Sequence, residues 1–121
     1  MNRYVKCVNH KQYIHFKGEP LSDAPIYGLE IGQVYKVAPP EENDGREELR
    51  VIDASGEDYL YPAIYFEPLA ISSDSRADAT ITIHLPQWLK GMLHAEAIVA
   101  GKSISTLARQ WLAERLDLPT T

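Results

Sequence analysis

Apolar and polar positions alternate in five short runs of the first seventy residues: RYVKCV (3–8), QYIHF (12–16), QVYKVA (33–38), ELRVID (48–53) and DYLYP (58–62). A period of two sends successive side chains to opposite faces of a strand. The tyrosine, valine and isoleucine content of these runs suits a pleated, half-buried surface. Between them lie an acidic, turn-rich loop, VAPPEENDGREE, and a glycine-bearing hairpin turn, DASGED (53–58). Five short strands in so short a stretch predict a small, strongly bent β-barrel.

The stretch LAISSDSRADA (69–79) is small, polar and mixed in charge, as a hinge between domains would be. It divides the chain into an N-terminal domain (1–70), a linker (71–79) and a C-terminal domain (80–121). Beyond it Ile81, Ile83 and Leu85 alternate with Thr80, Thr82 and His84, which predicts one more strand. Pro86 suits the first turn of a helix. Leu89, Met92, Leu93, Ala97 and Ala100 then fall on one face of a helix over about 86–100, with Trp88 and Val99 at its border. Gly91 within that helix costs about 1 kcal/mol relative to alanine and admits the close approach of another chain. Gly101 is placed to stop the helix and Ser103 to cap the next. The second helix carries Ile104, Leu107, Ala108, Trp111, Leu112 and Leu116 at helical spacing.

One strand and two helices in about forty residues cannot bury their apolar side chains alone. The strand also exposes two rows of unpaired backbone donors and acceptors. It has three outcomes: pairing with the N-terminal domain, fraying, or pairing with the same strand of a second chain. The last answers both difficulties at once, with four helices closing over an antiparallel ribbon. The expected dimer core is Ile81, Ile83, Leu85, Leu89, Leu93, Leu107 and Trp111.

The segment TITIHLP, the helix after it and GKSISTLARQWLAERL together resemble the ribbon-helix-helix superfamily of DNA-binding proteins, the CopG/Arc/MetJ type. The likeness covers roughly residues 79–118, with GKSISTL (101–107) at the turn between the helices. It implies a β-ribbon that enters the major groove of DNA. Thr80, Thr82 and His84 would face the bases, and Lys102, Ser103, Ile104 and Ser105 would hold the backbone at a helix N-terminus. LEIGQVYKV and ELRVIDASGEDYLYPAIYFEPL resemble small SH3-like barrels, with PAIYFEPL (62–69) as the short helical turn and last strand. Tyr59, Tyr61 and Tyr65 would there form a partner-binding surface. The plainer alternative packs them into the barrel with their hydroxyls toward solvent. The fold class expected is therefore α+β: an SH3-like barrel followed by a dimeric ribbon-helix-helix domain.

Charge bears on this picture unevenly. The net charge is −5. Residues 1–72 hold seven Lys/Arg against twelve Asp/Glu, whereas residues 79–121 hold four against three. Only the C-terminal part is not repelled by phosphate on average. Cys7, the single cysteine, has no partner for an internal disulfide, and neither a signal peptide nor a membrane span is legible. These features fit the cytoplasm. Cys7, His10 and His15 fall short of the four ligands of a structural zinc site. No metal or cofactor is expected, and no nucleophile–base pair points to an enzyme. The expectation is a homodimeric transcriptional regulator that binds double-stranded DNA, as a single dimer or a dimer of dimers. Its barrel would bind a protein partner or mediate oligomerisation. The alternatives are a dimeric adaptor presenting two barrels without binding DNA, and the antitoxin of a toxin–antitoxin pair.

Overall fold

The computed structural model describes residues 3–13, 24–69 and 79–118. The chain falls into two compact units, one comprising Asn2–Ile71 and the other Ser72–Thr121. The fold is α+β, a five-stranded antiparallel sheet followed in sequence by two helices. The strands are β1 (Tyr4–Cys7), β2 (Val34–Val37), β3 (Glu48–Ile52), β4 (Asp58–Pro62) and β5 (Phe66–Pro68), in the spatial order β4-β3-β2-β1-β5.

Four of the five expected runs contain a strand. The fifth strand is β5, from the segment read as the end of the domain. At 12–16 the described part, Gln12 and Tyr13, lies outside regular structure, with only an isolated bridge from Lys11 to Pro25 beside it. Ile14–Phe16 and the linker residues 71–78 lie outside the described residues. Tyr13 is held by its side chain instead: its hydroxyl donates to the Leu60 carbonyl at 2.7 Å, and its ring meets Tyr65 edge-on.

The connection between β4 and β5 dictates the shape of the sheet. These are its two edge strands, yet only a 3-10 turn, Ala63–Tyr65, separates them. Such a turn advances about 8 Å over four steps. Edge strands of a flat five-stranded sheet would stand about 19 Å apart. The sheet must therefore curl so that its edges approach. Alternation along the strands then sends Val5, Cys7, Tyr35, Val51, Tyr61 and Phe66 to the concave side, where they form the core with Leu29 and Tyr65. The acidic loop is pinned from outside. Arg50 grips Asp44 with two hydrogen bonds of 2.7 and 3.0 Å and reaches Asp58 at 3.0 Å, so the loop is tied to the β3–β4 hairpin.

Gly28 packs against this core with φ of +95°, and a Cβ there would lie 2.7 Å from Asp53 Oδ2. Gly32 and Gly56 also have positive φ, but a Cβ at either meets nothing within 4 Å. Alanine at any of the three incurs backbone strain, and at Gly28 it also displaces a buried carboxylate. Urea unfolding should show Gly28→Ala losing about 2–4 kcal/mol, and Gly32→Ala or Gly56→Ala about 1–2 kcal/mol. Equal losses at all three positions would contradict the steric account.

In the second unit α1 (Gln87–Ala100) and α2 (Ile104–Arg115) form a helical hairpin. The turn is built as the sequence predicts. Gly101 takes the left-handed conformation at φ 66°, and the N–H groups of Gly101 and Lys102 close onto the carbonyls of Ile98 and Ala97. The Ser103 hydroxyl then accepts from the Thr106 N–H at 3.1 Å. Pro86 stands one position earlier than expected, as the N-cap residue of α1. No helix among the described residues is long and apolar enough to cross a membrane.

Candidate functional site

Thr80, Thr82 and His84 are all exposed, in a segment (79–86) without regular secondary structure. The chain on its own offers this segment no ladder among the described residues. The side chains between them are as bare: Ile81 is 83% exposed and Ile83 68%. Leu85, Leu89 and Trp111 are exposed as well, and Leu93 is half-buried. Of the expected dimer core only Leu107 is buried within the chain, where Ala97 of α1 is also buried. The helical hairpin thus closes the turn between its helices and leaves most of its apolar face open.

At the start of α2 the second group of candidate residues comes together around the cap. The Ser103 hydroxyl is committed there, accepting from Thr106 N–H and donating to Thr106 Oγ1 at 2.9 Å. The N–H groups of Ile104 and Ser105 precede the first intrahelical bond and remain available as donors. The first turn of α2 holds no acidic residue. The Lys102 ammonium is turned to Gln110 Oε1. Arg109, which strand and turn motifs do not point to, places its guanidinium 3.3 Å from Thr106 Oγ1. The signal for it is spacing: residue 109 follows residue 106 by three positions, about one helical turn, and shares its side of α2. Arg109 beside Thr106, the two open amides and the positive end of the helix dipole suit a phosphate, whereas the Lys102 ammonium is engaged by Gln110 further along α2.

The three tyrosines of the first unit separate. Tyr65 is buried and its hydroxyl donates to the Lys11 carbonyl at 2.7 Å. Tyr61 is buried too, with its hydroxyl donating to Asp53 Oδ2 at 2.5 Å. Both pack the core, and both hydroxyls turn inward rather than to solvent. Tyr59 alone is exposed, with its hydroxyl on Glu57 at 2.7 Å. Tyr59 and Tyr61 border a cavity of about 590 Å³ that also touches Tyr13, Tyr27, Asp53 and Ser55. Asp53 accepts from the N–H and hydroxyl of Ser55 on one oxygen and from Tyr61 on the other. Burial alone would raise its carboxyl, but these bonds outweigh it and hold the group below the usual carboxylate range. The same burial, with the carboxylate beside it, pushes the Tyr61 phenol well above the usual tyrosine range. Tyr27 comes from a turn that hydrophobic periodicity does not mark, Tyr13 from a run whose alternation suggests a strand it does not join, and Asp53 from the end of the β3 run.

Cys7 is buried, and its thiol donates to the Asn9 carbonyl at 3.2 Å. Among the described residues no three His, Cys, Asp or Glu side chains converge as metal ligands. No family model, no curated protein and no solved structure matches this chain.

Proposed function

We propose that the protein is a homodimeric, DNA-binding transcriptional regulator. The observation that carries this reading is the bare ridge Ile81–Ile83–Leu85, which leads directly into a well-capped helical hairpin with an open apolar face. In the dimer, residues 80–85 of two chains pair as an antiparallel ribbon, and the four helices close over its apolar side in a ribbon-helix-helix arrangement. Thr80, Thr82 and His84 of each chain then line the outer face. Threonine bonds to base edges and offers a methyl to thymine, and histidine donates or accepts. The ribbon face carries no fixed charge, so attraction for phosphate falls to the start of α2, where Lys102, Arg109 and the amides of Ile104 and Ser105 grip the DNA backbone. The curled sheet of the first unit closes as a small SH3-like barrel and serves as the partner-binding or oligomerisation module.

Fluorescence anisotropy with the DNA upstream of the protein's own gene tests this. Two cations per chain make about four phosphate contacts per dimer, so raising salt from about 50 to about 200 mM should weaken binding about a hundredfold. The double substitution Thr82→Ala/His84→Ala should remove the preference for that DNA over an unrelated duplex while the dimer persists. A dimer that binds neither duplex at low salt would overturn the regulator and favour the bivalent adaptor.

A further inference from the structure

The cavity beside β4 has a chemical bias that its size alone does not reveal. Four hydroxyl protons at or near its wall are already spent: Tyr13 on the Leu60 carbonyl, Tyr59 on Glu57, and Tyr61 and Ser55 on Asp53. What these groups still present to the cavity is ring surface and acceptor lone pairs. Asp53 is almost fully buried, yet among the described residues only neutral donors contact it, and its negative charge stands without a counter-ion. A carboxylate accepts about four hydrogen bonds, and three are taken, two on Oδ1 and one on Oδ2. No lysine, arginine or histidine appears among the described residues of the wall. At the rim Tyr27 is 91% exposed, an aromatic ring held in water. Among the side chains that bracket it, acceptors and π-faces abound while cations are lacking.

The geometry points to an arginine side chain of a partner protein as the occupant of this cavity. A guanidinium supplies what the wall lacks: positive charge, five donors in a plane, and a flat, weakly hydrated face that stacks on tyrosine. One donor meets the open position on Asp53, and the plane lies against Tyr27 and Tyr59. A quaternary ammonium would bring charge but no donors, and would leave the acceptors unpaired. The volume of about 590 Å³ lies within the range of small-ligand pockets and admits a long side chain with some of its own backbone. Charge complementarity extends past the cavity, since residues 1–72 carry an excess of five negative charges. This assignment belongs to the first unit and stands apart from the DNA-binding reading of the second.

Titration of the full-length, 15N-labelled protein with N-acetyl-arginine amide, followed by two-dimensional NMR, tests it. The amides of Ser55, Tyr59, Leu60 and Tyr61 should shift saturably, with a dissociation constant on the order of 1 mM, as for a single anchored side chain. N-acetyl-citrulline amide has the same shape without the charge and should bind about tenfold more weakly. Tyr27→Ala and Tyr59→Ala, both at exposed positions, should each weaken the arginine probe several-fold while leaving the core resonances in place. Equal binding of the citrulline probe would overturn the assignment. So would saturation centred on other amides, an absence of saturable shifts, or wild-type affinity in both tyrosine variants.

Discussion

Ile83→Lys should destroy self-association. Ile83 is 68% exposed in the single chain and lies at the centre of the ridge proposed to form the shared core. Burying an isoleucine contributes about 1.5–3 kcal/mol. The substitution removes two per dimer and places two ammonium groups, across a two-fold axis, in an apolar interior. The loss of about 6 kcal/mol or more corresponds to a dimer weakened at least about 10⁴-fold. Light scattering coupled to size exclusion should then report a single chain, 13.6 kDa, at concentrations where the wild type is paired. Helical circular dichroism should fall with it, because α1 and α2 bury little by themselves. Thr82→Lys, one residue away on the opposite face, is the control and should remain dimeric. An Ile83→Lys protein that stays dimeric, or a wild type that is monomeric, would refute the intertwined ribbon.

Asp53→Ala should be the most damaging polar substitution in the first unit. The carboxylate accepts three hydrogen bonds, and its removal leaves the buried Tyr61 hydroxyl with no acceptor and opens the β3–β4 turn at Ser55. Orphaned buried donors of this kind cost about 1–3 kcal/mol each, and about 2–4 kcal/mol in total is expected. The pH dependence carries the signature. The Asp53 carboxyl titrates lower in the folded chain than in the unfolded one, where about 3.9 is usual. Its contribution is therefore complete above about pH 4 and is lost as pH falls through the folded value. The Tyr61 phenol titrates higher when folded, so its contribution is complete below about pH 10 and is lost as pH rises further. Urea midpoints measured from acid to alkaline pH should show both limbs in the wild type. In Asp53→Ala the acid limb should flatten. A variant within about 0.5 kcal/mol of wild type, with an unchanged profile, would show that the bond network contributes nothing.

Four of the strands and both helices were legible because their signals are local, whereas the alternating run at 80–85 carries the same signal and has no regular secondary structure in the single chain. Alternation marks Tyr4–Cys7 and Glu48–Ile52, and helical spacing with Gly101 and Ser103 marks both ends of the helical turn. The short last strand was legible from the resemblance of PAIYFEPL to a barrel's end. What the sequence hid was made by distant segments. Tyr13 meets Leu60, Tyr65 meets Lys11, and Gly28 closes on Asp53. None of these pairs has a fixed spacing, so no period announces them. Asp53 looked like one residue of a turn, yet Tyr61, set opposite Leu49 in the β3–β4 register, reaches it with the full length of its side chain. Likewise Arg50 stands in a strand-like run and Asp44 in the acidic, turn-rich loop, with no signal linking them, yet they form a largely shielded pair.

The place of β1 in the sheet bears on how the protein is made. β1, made before the other four strands of the sheet, is flanked by β2 and by β5, and Val5 pairs with both Tyr35 and Pro68. Neither neighbour is close in sequence, and such distant contacts are slow to form. The β3–β4 hairpin can close as it emerges and β1 can meet β2 earlier still, but the other edge of β1 must wait for β5. During translation that second edge of β1, with its tyrosine and valine, is thus held open until residue 68 has been added.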